Sequence, residues 1–488
     1  MPEDATRNGV FAALRVRDYR IYWSTGLVSN TGSAMQGVAL DWFVFDLTHS
    51  GTAVGWAAGL QFAPVLLFGL WGGVLADRYD RRTLLLWAQS LYAVQAVLLT
   101  VLVVSGHAPL WSLYLLSFGL GTVFTVENPA RLSFVTELVG GALIPNAAGL
   151  NILSLNAARL VGPAIAGVLI AVIGAGGVFA VNALSFAAVT AGLLMIRPRA
   201  SGAGAPAAGA ERSDGVAGGT GAEGGNLPPR TKRAPLRGAG VEGLRYVAAR
   251  PELTGVLVLF GLVSTFAVNF PTTLTLFAGR VFDVGSSGLG FMSTALSVGT
   301  IAGTLAATRR ASPRVRTVVA GAVLFGASEA VAALMPSYTT FLILLLPTGF
   351  TLMILNTAVS AFVQSEVGDA VRGRVMAVYT VVSMGGAPLG GPAVGWVSQH
   401  AGVRWGLASG AGAAVLAAGA VALWLSRRGA TVPGRASRVR AAARAAPFRT
   451  PATIPPGAPS PPPDPSLPSA YADPSVPRTT STGGIPHD

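Results

Sequence analysis

The sequence contains no cysteine and little charge. Only 11% of its 488 residues are Asp, Glu, Lys or Arg, and Lys232 is the only lysine. The absence of cysteine excludes disulfides, thiolate catalysis, iron–sulfur clusters and cysteine-ligated zinc. No Gly-x-x-x-x-Gly pattern precedes Lys232, so the chain lacks a phosphate-binding loop and we do not expect ATP to supply its energy. We expect a protein that is not an enzyme and that holds neither a metal nor a cofactor.

Hydrophobic residues, in contrast, make up 51% of the chain, and its mean hydropathy is +0.57. A soluble domain cannot bury that much apolar surface, so the composition indicates an integral membrane protein. The net charge is +13. The arginines cluster at the ends of apolar runs and in two tails, which is typical of membrane orientation, and we expect no nucleic-acid partner.

The chain holds twelve apolar runs, each of roughly the length that a bilayer-spanning helix needs. Six lie at residues 21–47, 53–76, 83–104, 110–132, 147–173 and 177–196. Six more lie at residues 253–277, 288–308, 317–334, 341–363, 375–397 and 406–425. The first run is too long for a signal-peptide core and lacks a convincing cleavage site. The predicted fold class is an all-α membrane protein with twelve transmembrane helices.

The basic residues predict which ends of these helices face the cytoplasm. The connections after runs 1, 3 and 5 have no Lys or Arg, whereas those after runs 2, 4 and 6 carry Arg78, Arg81, Arg82, Arg131, Arg197 and Arg199. The second half repeats the pattern, with only Arg280 and Arg404 in its outer connections. Because basic residues stay on the cytoplasmic side, we expect a multi-pass protein of the cell membrane with both termini in the cytoplasm.

The same patterns divide the chain into five parts. Residues 1–18 are predicted to form a cytoplasmic N-terminus, residues 19–196 a six-helix bundle, and residues 240–428 a second bundle that begins with an amphipathic helix. Residues 197–239 are rich in Gly, Ala and Pro without periodicity, which predicts a flexible cytoplasmic linker. Residues 429–488 are basic and then proline-rich, which predicts a disordered cytoplasmic tail that contacts anionic lipids.

The connection after the second run carries five charges in six residues. It reads Gly-x-Leu-Ala-Asp-Arg-x-x-Arg-Arg, and its defining residues are Gly73, Asp77, Arg78, Arg81 and Arg82. This pattern resembles the loop between helices 2 and 3 of the major facilitator superfamily of secondary transporters. Asp80 stands where that family usually has a second glycine, a mild departure because aspartate also tolerates the left-handed conformation that glycine would supply. The resemblance implies a cytoplasmic gating motif in which Asp77 meets the start of helix 11 near Gly373 in the outward-facing state.

Two further patterns support this resemblance. Residues 128–135 and 356–363 share four identities at one offset, beginning with Asn128 and Asn356. Such a repeat is expected of two parallel six-helix pseudo-repeats, the major facilitator fold, with the substrate held between them. Segments at residues 48–50, 72–79, 156–163 and 250–253 resemble the drug and siderophore exporter branch that contains the enterobactin exporter and macrolide efflux proteins. Gly162, Pro163 and Gly167 resemble the helix 5 motif associated with antiporters, which implies outward efflux.

Charges inside the apolar runs are candidates for substrate binding or coupling, because each is costly in a bilayer. Arg159 lies roughly 18 Å deep at about 1.5 Å per residue. It either lines a central cavity or is a buried structural arginine. Glu127 and Arg131 are spaced as an i,i+4 pair, which is either structural or couples protons or substrate. Asp41 is predicted at the cavity mouth, and Asn128 and Asn356 are assigned to the same cavity.

These observations predict a secondary active transporter that works by alternating access, most simply a proton-coupled exporter of a drug-like compound or siderophore. Two alternatives stay open: an uptake permease, or a membrane sensor or assembly protein that kept the fold. The expected partners are a small-molecule substrate, protons and anionic lipids at the cytoplasmic surface, and the expected assembly state is a monomer. Since no histidine falls within an apolar run, any proton carrier must be a carboxylate, and Glu127 beside Arg131 is the first candidate.

Overall fold

The computed structural model describes residues 9, 11–139, 141–196, 239–307 and 314–427. Side chains at residues 70–74, 76, 77, 239–242, 369 and 370 lie outside this description. Most of the predicted linker, at 197–238, and all of the predicted tail, at 429–488, also lie outside it, so those two predictions stand as predictions. Every regular element among the described residues is helical, and these residues belong to one compact unit that ends at residue 431.

The first half consists of five helices. They are α1 (Arg17–Thr48), α2 (Gly51–Arg78), α3 (Arg81–Val104), α4 (Leu110–Val139) and α5 (Ile144–Met195). Helix α5 has 52 residues and bends at Gly174, where φ is 73° and ψ is 170°. Because of this bend, the one helix crosses the bilayer twice. Glycine adopts this backbone conformation at little cost, so one residue replaces a loop. The two arms of α5, residues 144–173 and 175–195, are the fifth and sixth crossings.

The second half consists of nine helices. They are α6 (Ala239–Ala248), α7 (Pro251–Phe266), α8 (Phe270–Leu276), α9 (Gly285–Ala307), α10 (Val315–Ala333), α11 (Tyr338–Glu366), α12 (Asp369–Gly385), α13 (Ala387–His400) and α14 (Val403–Arg427). A five-residue π-helix, Phe277–Val281, continues α8. Most helices extend a few residues beyond the apolar runs, because polar residues at helix ends can protrude past the hydrocarbon layer.

Two of the predicted continuous helices are broken. The run at 253–277 is interrupted between α7 and α8, just before Pro271, and the run at 375–397 is interrupted at Gly386, just before Pro388. Proline has no N–H and disfavours helical geometry in the residue before it, so each break follows from local chemistry. The predicted single helices at these two places are therefore wrong in detail, although each broken pair still makes one crossing.

The predicted all-α membrane fold is confirmed, and the crossings among the described residues are consistent with the predicted number of twelve. Nine stretches of the described residues are long and apolar enough to span a membrane. One of them contains both arms of α5, and α1 with 32 residues and the α12–α13 pair supply the other crossings. Large apolar side chains point outward along the bundle, for example Trp87 at 68% and Leu416 at 74% exposure. Such a surface is stable only against lipid.

Packing between helices shows the repeat. In the first half α2 packs on α4 and α3 on the second arm of α5; in the second half α9 packs on α11 and α10 on α14. Asn128 and Asn356 each lie 18 residues beyond the first residue of their helices, α4 and α11. We call the end of the bundle where α1 meets α2 the distal end, and the end where α2 meets α3 the proximal end.

Candidate functional site

A small polar pocket lies inside the first half, toward the proximal end. Its volume is about 40 Å³, enough for at least one water molecule. Side chains of α1, α3, α4 and α5 line it, namely Tyr19, Tyr22, Trp23, Ser29, Asn30, Gln89, Glu127, Arg131, Asn151 and Ser154. The pocket places one acid and one base among hydroxyl, amide and aromatic groups inside a helical bundle.

Glu127 and Arg131 form a loose ion pair in this pocket. The Nε atom of Arg131 is 3.5 Å from Oε1 of Glu127, and Arg131 also donates to Oδ1 of Asn128 at 3.4 Å. The Nε–H group makes no hydrogen bond to any described residue, because its contact with Glu127 is too long and poorly aligned to count as one. Glu127 is only 4% exposed. A buried carboxylate with one weak partner can gain or lose a proton without rebuilding a network.

Hydrogen bonds between α1 and α5 hold the walls of this pocket. Tyr19 donates its hydroxyl to the carbonyl of Ala147 at 2.9 Å, and the indole of Trp23 donates to the carbonyl of Leu150 at 2.9 Å. Asn30 donates to Oγ of Ser154 at 3.2 Å. These bonds fix the proximal third of α1 against the first arm of α5, so the pocket keeps its shape unless the two helices move together.

A second polar cluster, which the sequence did not predict, lies deeper in the same half. Asn182 donates to Oε1 of Gln36 at 2.8 Å, and Gln36 donates to Oε1 of Gln95 at 3.1 Å. The amide nitrogen of Gln95 has no partner among the described residues. Asn182 thus bridges α5 to α1. Asn182 and Gln36 lie 146 residues apart along the chain, and Gln36 and Gln95 lie 59 residues apart, so spacing gave no signal.

The charged connection after α2 joins helices of the first half to one another. Arg81 pairs with Glu137 on α4. Arg82 donates to the carbonyls of Leu193 and Leu194 at 2.9–3.2 Å, at the end of α5. A cation at a helix C-terminus is favourable because the last carbonyls there lack partners. Arg78 is exposed.

Asp80 does not adopt the left-handed conformation that aspartate tolerates. Its φ is −59° and its ψ 124°, and its carboxylate accepts a hydrogen bond from the backbone N–H of Thr83 at 2.8 Å. Asp80 is therefore the N-cap of α3, a position that aspartate favours because the first N–H groups of a helix need acceptors. The left-handed conformation is not needed, since the chain between α2 and α3 turns through extended residues.

The structure describes the backbone of Gly73 and Asp77 in the last turns of α2, but neither the side chain of Asp77, the centre of the gating motif, nor the surroundings of Gly73. Gly373, the partner predicted for Asp77, has no described atom within 4 Å of the position that a Cβ would take. Gly69 on α2 is equally open. The gating contact of Asp77 remains a prediction for another state of the protein.

The Gly162, Pro163 and Gly167 motif lies where α5 meets both α1 and the second half. A Cβ on Gly162 would lie 2.7 Å from the Cβ of Ala34 on α1, and a Cβ on Gly167 would lie 2.7 Å from the carbonyl oxygen of Ser286 on α9. Small residues therefore allow α5 to pack closely on both sides.

Hydroxyl groups of α9 bond to carbonyls of α5 along this contact. Ser297 donates to the carbonyl of Arg159 at 2.9 Å. That carbonyl is available because Pro163, four residues later, has no N–H to bond it. Thr294 donates to the carbonyl of Leu160 at 3.2 Å, and Ser286 and Ser287 donate to the carbonyl of Gly167 at 3.2 and 3.3 Å. Pro163 thus leaves a carbonyl of the first half free to accept a hydrogen bond from a hydroxyl group of the second half.

The remaining candidates lie in different places. The side chain of Arg159 is exposed and makes no hydrogen bond or ion pair with a described residue, so it does not join Glu127. Asp41 is partly buried near the distal end of α1. Asn356 accepts a hydrogen bond from the hydroxyl of Tyr379 on α12 at 3.1 Å. The structure therefore brings together Glu127, Arg131 and Asn128 and leaves the other candidates apart.

Comparison with known proteins agrees with this architecture. The family described as "Transmembrane secretion effector" matches residues 8–212 and 227–438. The enterobactin exporter EntS of Escherichia coli O1:K1 / APEC is 23% identical over 383 residues, which is 77% of this chain and 84% of the exporter. The staphyloferrin A transporter of Staphylococcus aureus (strain NCTC 8325 / PS 47) is 27% identical over 168 residues, which is 34% of this chain and 42% of that transporter.

Solved structures share the fold. A bacterial homologue of the human lysosomal transporter Spinster, inward-facing and unoccupied, matches with a TM-score of 0.65 at 16% identity and covers 84% of this chain and 96% of its own. The nucleoside transporter NupG matches with a TM-score of 0.62 at 12% identity, covering 83% of this chain and 98% of its own. The family match extends over most of both six-helix halves, and the chain therefore belongs to the transmembrane secretion effector family, a group of secondary transporters in the major facilitator superfamily.

Proposed function

We propose that this protein exports a siderophore or a drug-like small molecule across the cell membrane by alternating access, driven by protons that move the opposite way. One observation carries the proposal: hydrogen bonds join the two halves at the distal end of the bundle and along its middle. Ser50 donates to Gln399 at 2.8 Å, Arg280 donates to the carbonyl of His49, and α5 bonds to α9 as described. A transporter closed at one end is in one of the two states that alternating access requires.

Glycines make the distal closure possible on the α2 side. A Cβ on Gly55 would overlap the carbonyl oxygen of Gly391 on α13, and one on Gly395 would overlap that of Gly51. The two helices therefore touch backbone to backbone. Toward the proximal end, Gly69 of α2 and Gly373 of α12, the helix that precedes α13 in the same crossing, have no described atom within 4 Å of the position that a Cβ would take. The close backbone contact at the distal end and the open positions toward the proximal end support a cavity that opens proximally.

The arginines support a cytoplasmic assignment of the proximal end. Arg78, Arg245, Arg314 and Arg372 belong to proximal connections or helix ends, whereas Arg280 and Arg404 are distal. Arg404 donates to the carbonyls of Ala333 and Met335 at 2.8 and 2.7 Å, so both distal arginines are held by helix-end carbonyls. With the proximal end inside, the protein would be poised to load a substrate from the cytoplasm. We further propose that it works as a monomer and binds anionic lipids through the proximal arginines.

The pocket around Glu127 supports proton coupling. In the closed-distal state Glu127 has one loose partner, Arg131, and both are enclosed by the first half. A change in their separation or in water access alters the balance between the charged and the neutral carboxyl group. A carboxyl group that takes a proton from outside and releases it to the cytoplasm would couple uphill efflux to the free energy of the proton gradient.

Transport by the full chain in proteoliposomes tests this proposal. A pH gradient is imposed and a panel that includes enterobactin, staphyloferrin A and lipophilic drugs is offered, with protein-free liposomes as the control. We expect at least one compound to accumulate against its gradient, in the direction opposite to proton flow, and to leak out when a protonophore is added. Accumulation in the direction of proton flow would make the protein an uptake permease. Binding of a compound without any flux would instead favour the sensor alternative.

A further inference from the structure

The second half buries a carboxylate that the sequence analysis passed over. Glu329 lies on α10, is 1% exposed, and its Oε2 atom has no hydrogen-bond partner among the described residues. No salt bridge to a described residue involves it. An ionised carboxylate without a partner in such a place is very unfavourable. Its signal in the sequence was a single acid inside a 19-residue apolar helix.

Glu329 faces the break between α7 and α8. Phe325, one turn earlier on α10, contacts Phe270 at the start of α8 with a ring distance of 6.3 Å. On α14, a Cβ on Gly410 would lie 2.6 Å from the carbonyl oxygen of Phe266 and 3.3 Å from Oε1 of Glu329. These two oxygens are therefore within about 6 Å of each other. Gly410 leaves room for the carboxyl group beside the end of α7.

The break leaves a carbonyl in need of a donor. The carbonyl of Val263 accepts from the N–H groups of both Ala267 and Val268, and that of Thr265 accepts from the side chain of Asn269 at 2.6 Å. No described residue donates to the carbonyl of Phe266 across the break. Half-helix ends inside a membrane protein satisfy such carbonyls with a side chain, a water molecule or a bound cation.

No other charge reaches Glu329 from the helices packed against α10. On α14 the nearest charged residue is Arg404, whose guanidinium is bonded to carbonyls at the end of α10. On α11 the nearest titratable group is Tyr338, in its first turn, and on the α7–α8 crossing Glu252 and Arg280 lie at the two ends. One free carbonyl and one carboxyl group are too few ligands for Ca²⁺ or Mg²⁺, each of which takes six or more oxygens.

We propose that Glu329 is a proton-binding site of the second half: its carboxyl group is protonated in the state described, donates a hydrogen bond toward the carbonyls at the end of α7, and exchanges its proton when the α7–α8 break changes shape. The proton passes between the carboxyl oxygen and water, with no other reactant. The site itself does not depend on the proposed export, and only its part in the transport cycle rests on that function. Glu127 and Glu329 would then place one titrating carboxyl in each half.

Infrared spectroscopy of the full-length protein, without substrate, tests the site. The carbonyl stretch of a protonated carboxyl group is compared between the parent chain, Glu329→Gln and Glu127→Gln. We expect Glu329→Gln to remove a band at neutral pH and to leave the unfolding temperature unchanged, because the carboxamide donates the same hydrogen bond. If all protonated-carboxyl bands survive in Glu329→Gln, the proposal is overturned. Glu329→Asp is the second variant, and it should keep the band at a shifted frequency even if the glutamine variant folds poorly.

Two locked forms test the exchange of the proton. The cysteine-free chain allows one lock at the distal end, Ser50→Cys with Gln399→Cys, and one at the proximal end, Tyr79→Cys with Gly373→Cys, each closed with a short thiol crosslinker. We expect the Glu329 band to titrate at a different pH in the two locked forms. Identical titration would remove Glu329 from the conformational cycle. Because no substrate is used, failure of the export assay would leave these results unaffected, and the reverse also holds.

Discussion

At the scale of single residues, the polar pocket of the first half contains two charged side chains, Glu127 and Arg131, that have few hydrogen-bond partners. Arg131 touches Glu127 and Asn128 and leaves its Nε–H without a hydrogen bond to a described residue, while Glu127 has Arg131 as its only recorded ion-pair partner. The rest of the pocket supplies neutral groups that can hydrogen-bond with either form of the carboxyl group. A site of this kind can change protonation with a small change in geometry, which a fully satisfied network resists.

Replacing Glu127 separates proton coupling from substrate passage. We expect Glu127→Gln to reduce pH-driven uphill efflux to the level of protein-free liposomes while downhill exchange of labelled substrate stays within about twofold of the parent, because the carboxamide keeps the shape but carries no proton. Both rates are measured in proteoliposomes. Asp46→Asn, at an exposed carboxylate on the same protein, is the matched control and should change neither rate. Unchanged uphill efflux in Glu127→Gln would shift attention to Asp41, and loss of downhill exchange would make Glu127 a substrate ligand.

At the scale of helices, the contact between α5 and α9 depends on the absence of side chains. Gly167 and Gly290 face each other, and a Cβ on Gly290 would lie 2.5 Å from the carbonyl oxygen of Pro163. Four hydroxyl groups of α9 reach α5 carbonyls only because the helices are this close. The antiporter-like motif is, in this structure, a surface on which one half lies against the other.

An alanine at Gly167 should weaken the distal closure. Its Cβ would lie 2.7 Å from the carbonyl oxygen of Ser286, and such overpacking costs about 1–3 kcal/mol, roughly a 5- to 150-fold shift in a two-state equilibrium. We expect less crosslinking between cysteines at 50 and 399 in Gly167→Ala, with normal insertion in the membrane. Gly149→Ala lies on the same helix, meets no atom within 4 Å, and should leave the yield unchanged. Equal yields in both variants would show that the glycine does not control closure.

At the scale of the whole molecule, much of the fold could be predicted from the sequence, because length and hydropathy alone fix a membrane helix. The breaks before Pro271 and Pro388 were missed since hydropathy continues through them. Asp80 caps α3 instead of adopting the left-handed conformation that aspartate tolerates, because its carboxylate accepts a hydrogen bond from the N–H of Thr83. The pairing of Glu127 with Arg131 could be predicted from their i,i+4 spacing. The burial of Glu329 without a partner could not, because it depends on which helices pack around α10, and the sequence alone does not show this.

The two locks also report on the whole cycle. We expect the distal pair, at 50 and 399, to crosslink efficiently in the resting protein, and the proximal pair, at 79 and 373, to crosslink only when substrate and a pH gradient drive the cycle. Yields are read from mobility shifts on gels. High yield from one pair should accompany low yield from the other, because the halves pivot about the bundle's middle. Simultaneous full crosslinking at both ends would contradict alternating access.

The bend at Gly174 limits how much of the distal face other proteins can bind. The fifth and sixth crossings are joined there by one glycine, and the α1–α2, α3–α4 and α13–α14 connections at the same end are only two to five residues long. The distal connections therefore protrude little beyond the ends of the helices. They offer a small surface for an antibody, a protease or a phage receptor-binding protein to bind. With the distal face outside, as proposed, the transporter exposes few epitopes and few cleavage sites at the cell surface.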